Sequence, residues 1–214
     1  MKRVFLIGDS IRIGYDKYVR ENLEDCAQLY WVLDNARFVT YTLRLVQDWV
    51  STDCDPEKLD VIHWNNGLWD IAHVCGEDET LTTPAAYEDG LRRIARRLKR
   101  ICPNAKIIFG LTTSVIEERM KPTFYRRNAE IEAYNDIARK VMAEEGIEVN
   151  DLYTVAREMS DDWHSEDGTH YTEDGYKLLK TRNNTSYFYK LPSDSSEPLV
   201  LTESEITNNF YLMT

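Results

Sequence analysis

The stretch Val4-Phe5-Leu6-Ile7-Gly8-Asp9-Ser10 places a glycine and two polar residues directly after a short apolar run. A run of this length bounded by a turn signal is typical of a buried strand. Open α/β sheets bind their ligands at the carboxyl ends of the strands. The stretch therefore predicts a first parallel strand, with Ser10 at the ligand-binding edge and at the start of the following helix.

The same alternation of apolar runs and amphipathic stretches continues along the chain. Strands are predicted at residues 3–7, 28–33, 60–64, 105–111 and 147–149. The clearest helices are residues 84–101 and 127–145, where apolar side chains recur at helical spacing. This pattern predicts an α/β fold, a three-layer α/β/α sandwich around a five-stranded parallel sheet.

The character of the chain changes after Lys180. Residues 181–214 are polar and show no helical periodicity, with short β-like pieces at residues 187–191, 199–202 and 210–213. We expect one domain over residues 1–180 and, over residues 181–214, an irregular or β-like extension that is not an independent domain. The extension could be a hairpin, a contact within a homo-oligomer or a loose tail.

Composition narrows the class of protein. With 43% hydrophobic and 29% charged residues, the chain is neither collagen-like, disordered nor membrane-spanning. A net charge of −11 argues against nucleic acid as a partner. The apolar run after Met1-Lys2-Arg3 is too short for a signal-peptide core, which predicts a cytoplasmic protein without a membrane partner. The four cysteines show no C-x-x-C spacing, so no metal site is expected.

Two stretches carry the chemistry of acyl transfer. A serine hydroxyl is a weak nucleophile until a base takes its proton, and an imidazole is an effective base only when its other nitrogen is anchored. In Asp167-Gly168-Thr169-His170, the carboxylate of Asp167 is spaced to reach Nδ1 of His170. Nε2 can then turn toward Ser10. The sequence therefore predicts a catalytic group of Ser10, Asp167 and His170.

A third stretch, residues 63–70 with the sequence HWNNGLWD, follows the predicted third strand and emerges at the same sheet edge. An asparagine amide aimed at a substrate carbonyl oxygen is an effective oxyanion donor. Asn65 and Asn66 are both candidates for this donor.

Together these stretches resemble the SGNH, or GDSL, hydrolase family of esterases and lipases over roughly residues 1–180. The family's first block matches Gly8-Asp9-Ser10-Ile11, and its last block, Asp-x-x-His, matches residues 167–170. Its third block, Gly-x-Asn-Asp, corresponds to residues 63–66, which favours Asn65 as the oxyanion donor. The resemblance implies an acyl-enzyme on Ser10, with His170 as base and then acid, Asp167 holding His170, and no cofactor.

This chain departs from the family's pattern in the second block. The family places a glycine after its second strand, whose N–H joins that of the nucleophilic serine in the oxyanion hole, but no glycine lies between Gly14 and Gly67. The corresponding region is residues 34–37, so the donor should be the backbone N–H of Asn35 or Ala36, beside the Ser10 N–H and the Asn65 side-chain amide.

A rival base exists, because Asp161 and His164 have the same spacing as Asp167 and His170. His170 is favoured because its stretch leads directly into a helix predicted to begin near Thr172, as in the family's last block.

Flat aromatic faces suit sugar rings, and several aromatic residues could line a pocket: Trp64, Trp69, Tyr125, Trp163 and Tyr171. Asp9, Asn66 and Trp69 are the candidate substrate-binding residues. The chain is similar to small carbohydrate acetylesterases of the family, which implies an O-acetyl ester on a carbohydrate or other small molecule as substrate. A thioesterase or lysophospholipase activity is the enzymatic alternative. A catalytically silent carbohydrate-binding or scaffold protein is the alternative of another class.

Overall fold

A computed structural model describes residues 1–186 of the chain. Its strands and helices, in chain order, are β1 (Lys2–Ile7), α1 (Ser10–Leu23), β2 (Ala27–Trp31), α2 (Val39–Thr52), β3 (Val61–Trp64), β4 (His73–Val74), α3 (Pro84–Ile101), β5 (Lys106–Gly110), β6 (Phe124–Tyr125), α4 (Asn128–Glu144), β7 (Glu148–Asn150), α5 (Leu152–Arg157) and α6 (Glu173–Ser186).

Five strands form one parallel sheet in the order β2-β1-β3-β5-β7. Helices α2, α3 and α4 pack side by side, while α1 and α5 pack against α6, so that helices flank the sheet. The predicted α/β fold is confirmed, and each predicted strand agrees with the structure to within two residues. The agreement follows from burial, since the central strands β1 and β3 have apolar side chains on both faces.

The register of the sheet brings the ends of the central strands together. Ile7 at the end of β1 pairs with Trp64 at the end of β3, and Trp64 pairs with Phe109 of β5. The residues that follow these strands therefore emerge side by side at one edge. This edge carries Ser10, the first residue of α1, whose N-terminus is capped by the Asp9 side chain through a 3.0 Å bond from the Ile11 N–H.

Two features differ from the sequence-based expectations. A small antiparallel pair, β4 with β6, joins the segment after β3 to the segment after β5. The expected absence of helix after Lys180 is wrong for residues 181–186, because α6 continues to Ser186. A helix that has been nucleated and packed at its start extends at little cost through polar residues, and α6 is anchored by the buried Leu179. The β-like pieces predicted at residues 187–191, 199–202 and 210–213 lie outside the described residues.

No helix in residues 1–186 has both the length and the apolar character that crossing a membrane requires.

Candidate active site

Ser10, His170 and Asp167 form a continuous chain of hydrogen bonds at the carboxyl edge of the sheet. Ser10 Oγ lies 2.8 Å from His170 Nε2, and His170 Nδ1 lies 2.5 Å from Asp167 Oδ2. Ser10 and His170 are 160 positions apart in the chain. The fold thus brings the three predicted catalytic residues into the geometry of a serine nucleophile, its base and the group that orients the base.

The charge of Asp167 sets the tautomer of the histidine. Burial raises the pKa of this carboxyl, but hydrogen bonds from the His170 N–H, the Ser165 hydroxyl, the His170 ring and the Thr169 N–H outweigh burial and hold its pKa well below the usual range. An ionised carboxylate can only accept, so Nδ1 of His170 carries the ring proton. Nε2 is then the acceptor for the Ser10 hydroxyl, as a general base requires.

The loop that carries Asp167 and His170 is held tightly in place. Oδ1 of Asp167 accepts hydrogen bonds from the Ser165 hydroxyl at 2.6 Å and from the backbone N–H groups of Thr169 and His170, each at 2.9 Å. Gly168 has a φ of +69°, and a Cβ there would lie 2.5 Å from the Ile116 carbonyl oxygen. Only glycine allows this turn and this approach, so the loop presents the two predicted catalytic side chains in one arrangement.

The rival histidine, His164, lies elsewhere. It is only 4% exposed, its ring centre lies 4.6 Å from that of Tyr171, and neither ring nitrogen has a hydrogen-bond partner within the described part of the chain. Burial lowers the pKa of His164. Asp161 is exposed, its backbone oxygen accepts from the His164 N–H, and its carboxylate acts on the His164 ring only through longer-range attraction. The structure therefore leaves the Asp161 and His164 pair without contact to Ser10.

The predicted oxyanion donor Asn65 lies against Gly8, two residues before the other predicted donor, Ser10. Ser10 is the first residue of α1, where a backbone N–H has no partner within its helix. Asn65 donates its backbone N–H to the Ile7 carbonyl at 3.1 Å, and its side chain is 5% exposed. A Cβ on Gly8 would come within 1.9 Å of Asn65 Oδ1. A glycine at position 8 is thus what allows the Asn65 side chain to lie against the start of α1.

The glycine-free second block holds its backbone differently from the prediction. The Ala36 N–H donates to the Gly8 carbonyl at 3.0 Å, which excludes Ala36 as a free oxyanion donor in this structure. The Asn35 N–H donates to the Asp34 carboxylate at 2.7 Å. Arg37 takes the strained turn conformation, with a φ of +48°. A substrate oxyanion would have to displace Asp34 to bind the N–H of Asn35.

Asn66 holds this second block instead of facing the substrate. Its side chain is fully buried, its Nδ2 donates to the Arg37 carbonyl at 2.8 Å and to Thr42 Oγ1 at 2.9 Å, and its Oδ1 accepts from Trp64 Nε1 at 2.7 Å. Both amide hydrogens and the amide oxygen are used. The expectation that Asn66 binds substrate, and the alternative that it is the oxyanion donor, are therefore wrong for this arrangement.

Asp70 holds the start of α2, directly after the second block. Its Oδ1 accepts the Val39 N–H at 3.0 Å, at the start of α2, where Phe38 supplies no side-chain cap. Asp70 is fully buried. Burial raises its pKa to about 7, against the opposing effects of the Val39 and Thr82 hydrogen bonds.

This carboxyl should make stability depend on pH. Between about pH 4 and 7 the folded chain keeps a proton on Asp70 that the unfolded chain loses, so the free energy of unfolding should fall as pH rises through this range. Asp70→Asn retains an oxygen for the Val39 N–H and removes the titration. We expect the wild type to lose, relative to Asp70→Asn, on the order of 4 kcal/mol from pH 4 to pH 8.

Urea unfolding at a series of pH values measures this difference. Asp89→Asn, which removes an exposed carboxylate on α3, is the matched control. Parallel pH profiles for wild type and Asp70→Asn would contradict the assignment.

A cleft of about 190 Å³ opens beside Ser10 and His170. Trp69, a predicted substrate-binding residue, lines it together with Leu68, Met120 and Phe124. Asp9 does not, since it is 1% exposed and caps α1. Burial raises the Asp9 pKa. Hydrogen bonds from the Ile11 N–H and the Asn65 side chain, and the charges of Arg126 and Arg12, act in the opposite direction. Asp9 therefore lies outside this cleft, and its expected contact with the substrate stays a prediction.

The other aromatic residues considered for the pocket also lie elsewhere. Trp64 is fully buried and packs on Phe109, Tyr171 packs on His164, Tyr125 stacks on His73, and Trp163 is exposed.

Three cationic residues of the cleft were not identified from the sequence: Arg119, Lys121 and Arg126. All three lie in the segment between β5 and α4. A signal was present, because this segment leaves the fourth strand of a parallel sheet at the ligand-binding edge.

A family model described as the GDSL-like lipase/acylhydrolase family matches residues 6–178 of the chain. The chain belongs to this family. It is therefore an ester-hydrolysing enzyme, and the resemblance of its first and last blocks to GDSL hydrolases is confirmed. Comparison with curated proteins gives no match.

Solved structures of low sequence identity share the fold. A lipase/acylhydrolase from Enterococcus faecalis is 20% identical, with a TM-score of 0.69 over 86% of this chain and 93% of the other. An acetyl xylan esterase is 18% identical, with a TM-score of 0.66 over 85% and 97%. A variant of an acetyl xylan esterase from Geobacillus stearothermophilus is 15% identical, with a TM-score of 0.66 over 86% and 93%.

Proposed function

We propose that this acylhydrolase is a serine esterase that removes short acyl groups, acetyl above all, from carbohydrates. The observation that carries the proposal is the hydrogen-bonded series Ser10, His170 and Asp167 at the mouth of a small cleft. The alternative of a catalytically silent protein on the same fold is disfavoured, because the nucleophile and its base are already in contact.

In the proposed reaction, His170 Nε2 takes the proton of the Ser10 hydroxyl as Oγ attacks the ester carbonyl. The resulting imidazolium is stabilised by Asp167, whose hydrogen bonds keep it ionised. In this proposal, the Ser10 N–H and the Asn65 amide stabilise the oxyanion. His170 then protonates the leaving alcohol, and a water molecule activated by His170 hydrolyses the acyl-enzyme, which regenerates Ser10 and releases the acid.

The size of the cleft favours a short acyl group. Its volume of about 190 Å³ is below the roughly 300–1,000 Å³ of pockets that enclose drug-sized ligands. Trp69, whose ring centre lies 5.9 Å from that of Phe124, offers an aromatic face on which a sugar ring could pack. The acetyl xylan esterases of the same fold give independent support for an acetylated carbohydrate.

A series of p-nitrophenyl esters from acetyl to octanoyl tests the acyl-chain preference. We expect kcat/KM to be highest for acetyl and to fall by about tenfold or more by octanoyl, because a longer chain must remain in water or displace the cleft wall. Acetate release from acetylated xylose or xylan, measured alongside, tests the carbohydrate. A maximum at octanoyl would contradict the proposal and favour a lipid or thioester substrate.

A further inference from the structure

The cleft beside Ser10 is cationic, although the chain has a net charge of −11. Arg119, Lys121 and Arg126 line it, against one carboxylate, that of Asp167, which is already bonded to His170. Positive charge is thus concentrated at the point where substrate must enter. Such concentration attracts anions and raises their local concentration in a cleft.

Arg126 is the deepest of these cations. It is 4% exposed, its Nε–H donates to the Leu68 carbonyl oxygen, and its guanidinium lies 4.8 Å from the centre of the Phe124 ring. Arg126 is the residue directly after β6, so the pairing of β6 with β4 fixes the position of its backbone. Among residues 1–186, neither of its Nη groups has a hydrogen-bond or ion-pair partner.

The nearby carboxylates do not neutralise Arg126. Asp9 and Asp167 act on it only through longer-range attraction, and burial lowers the Arg126 pKa to about 10, so the group is still charged at neutral pH. Asp167 is saturated by bonds from Ser165, Thr169 and His170, while Asp9 Oδ2 has no hydrogen-bond partner in the described structure. A buried charge without a partner is costly, which is why such charges are normally paired.

We propose that the ester substrate carries an anionic group, a carboxylate or a phosphate, that binds the guanidinium of Arg126 in this cleft. The proposal rests on the proposed esterase function and deepens it by naming the substrate class. A guanidinium presents a planar fork of donors that matches such an anion. On a carbohydrate, this chemistry describes an acetylated sugar acid or an acetylated sugar phosphate.

Lys121 and Arg119 support the same group by charge. Arg119 already donates from Nη1 to the carbonyl oxygens of His164 and Ser165, at 3.3 and 3.1 Å, so it fixes the catalytic loop and adds its charge to the cleft. Lys121 is exposed at the rim of the cleft, where its charge attracts an approaching anionic substrate but does not hold the bound one.

Matched acetyl esters test the proposal. The anionic substrates are 4-acetoxybenzoate and 4-acetoxyphenyl phosphate, and the neutral counterpart is 4-acetoxybenzamide, with each rate corrected for spontaneous hydrolysis. We expect kcat/KM for at least one anionic ester to exceed that of the neutral ester by about tenfold, the effect of one hydrogen bond to a charged group. The better anion identifies carboxylate or phosphate. Equal corrected rates for all three would overturn the proposal.

Variants assign the preference to Arg126. Arg126→Gln should reduce the anionic-to-neutral ratio by about tenfold, and Arg126→Lys should retain part of it. Arg93→Gln, which removes an exposed arginine on α3, is the charge-matched control and should leave the ratio unchanged. An undiminished ratio in folded Arg126→Gln would refute the assignment. If that variant does not fold, added salt decides: the wild-type preference should decline with ionic strength, and a salt-independent rate ratio would count against binding by charge.

Binding without turnover separates this proposal from the proposed function. Calorimetric titration of Ser10→Ala with 4-acetoxybenzoate and with 4-acetoxybenzamide should show tighter binding of the anion. Preferential binding of the benzoate, together with a wild type that hydrolyses none of the esters, would support the anion site and contradict the esterase. Hydrolysis of all three esters without any preference for the anion would support the esterase and contradict the anion site.

Discussion

Ser10→Ala is expected to lower kcat for p-nitrophenyl acetate by about 10⁴- to 10⁶-fold, because it removes the only hydroxyl that contacts His170 Nε2 among the described residues. The backbone N–H of residue 10 and the Asn65 amide are retained, so some residual rate enhancement should remain. The measurement is initial velocity with purified protein, together with circular dichroism to show that the fold is intact.

Ser51→Ala is the matched control for this substitution. Ser51 is exposed near the end of α2, and its replacement should leave kcat unchanged. If Ser10→Ala hydrolysed the ester as fast as the Ser51→Ala control, Ser10 would not be the nucleophile.

His170→Ala should lower kcat to a similar extent, since it removes both the base and the acid of the proposed reaction. His164, which has the same spacing from an aspartate as His170, allows the two histidines to be compared within one protein. His164→Ala should leave kcat within a few fold of wild type but destabilise the protein by about 2 kcal/mol, because a buried ring that packs on Tyr171 is replaced by a cavity.

Kinetics on p-nitrophenyl acetate and urea unfolding of both variants distinguish the two histidines. A large loss of kcat in His164→Ala with a nearly unchanged His170→Ala would mean that the base had been assigned to the wrong histidine.

Periodic and local patterns carried much of the prediction. Continuous apolar runs such as residues 4–7 can be satisfied only by burial on both faces, which makes central parallel strands readable from the sequence. The Asp167 and His170 pair is likewise local, because the loop that joins them is closed by hydrogen bonds within residues 165–170.

Features that depend on contacts between distant loops were not accessible in the same way. The pairing of β4 with β6 joins segments about 50 residues apart, and neither segment has a periodicity that distinguishes it from a loop. The helix beyond Lys180 was missed because its sequence is polar, whereas its formation depends on the packing of α6 against α1.

From the sequence alone one could read which polar side chains gather at the edge of the sheet. They are a serine after β1, an asparagine after β3, and an aspartate and a histidine before α6. Only the tertiary structure decided which neighbours are structural and which face the cleft. It assigned Asn66 and Asp70 to holding residues 37–42, buried His164, and placed Arg126 in the cleft that Ser10 also lines. The physical reason is that these roles depend on burial and on pairing across 24 or more positions, as between Asn66 and Thr42, and such pairing has no local sequence signal.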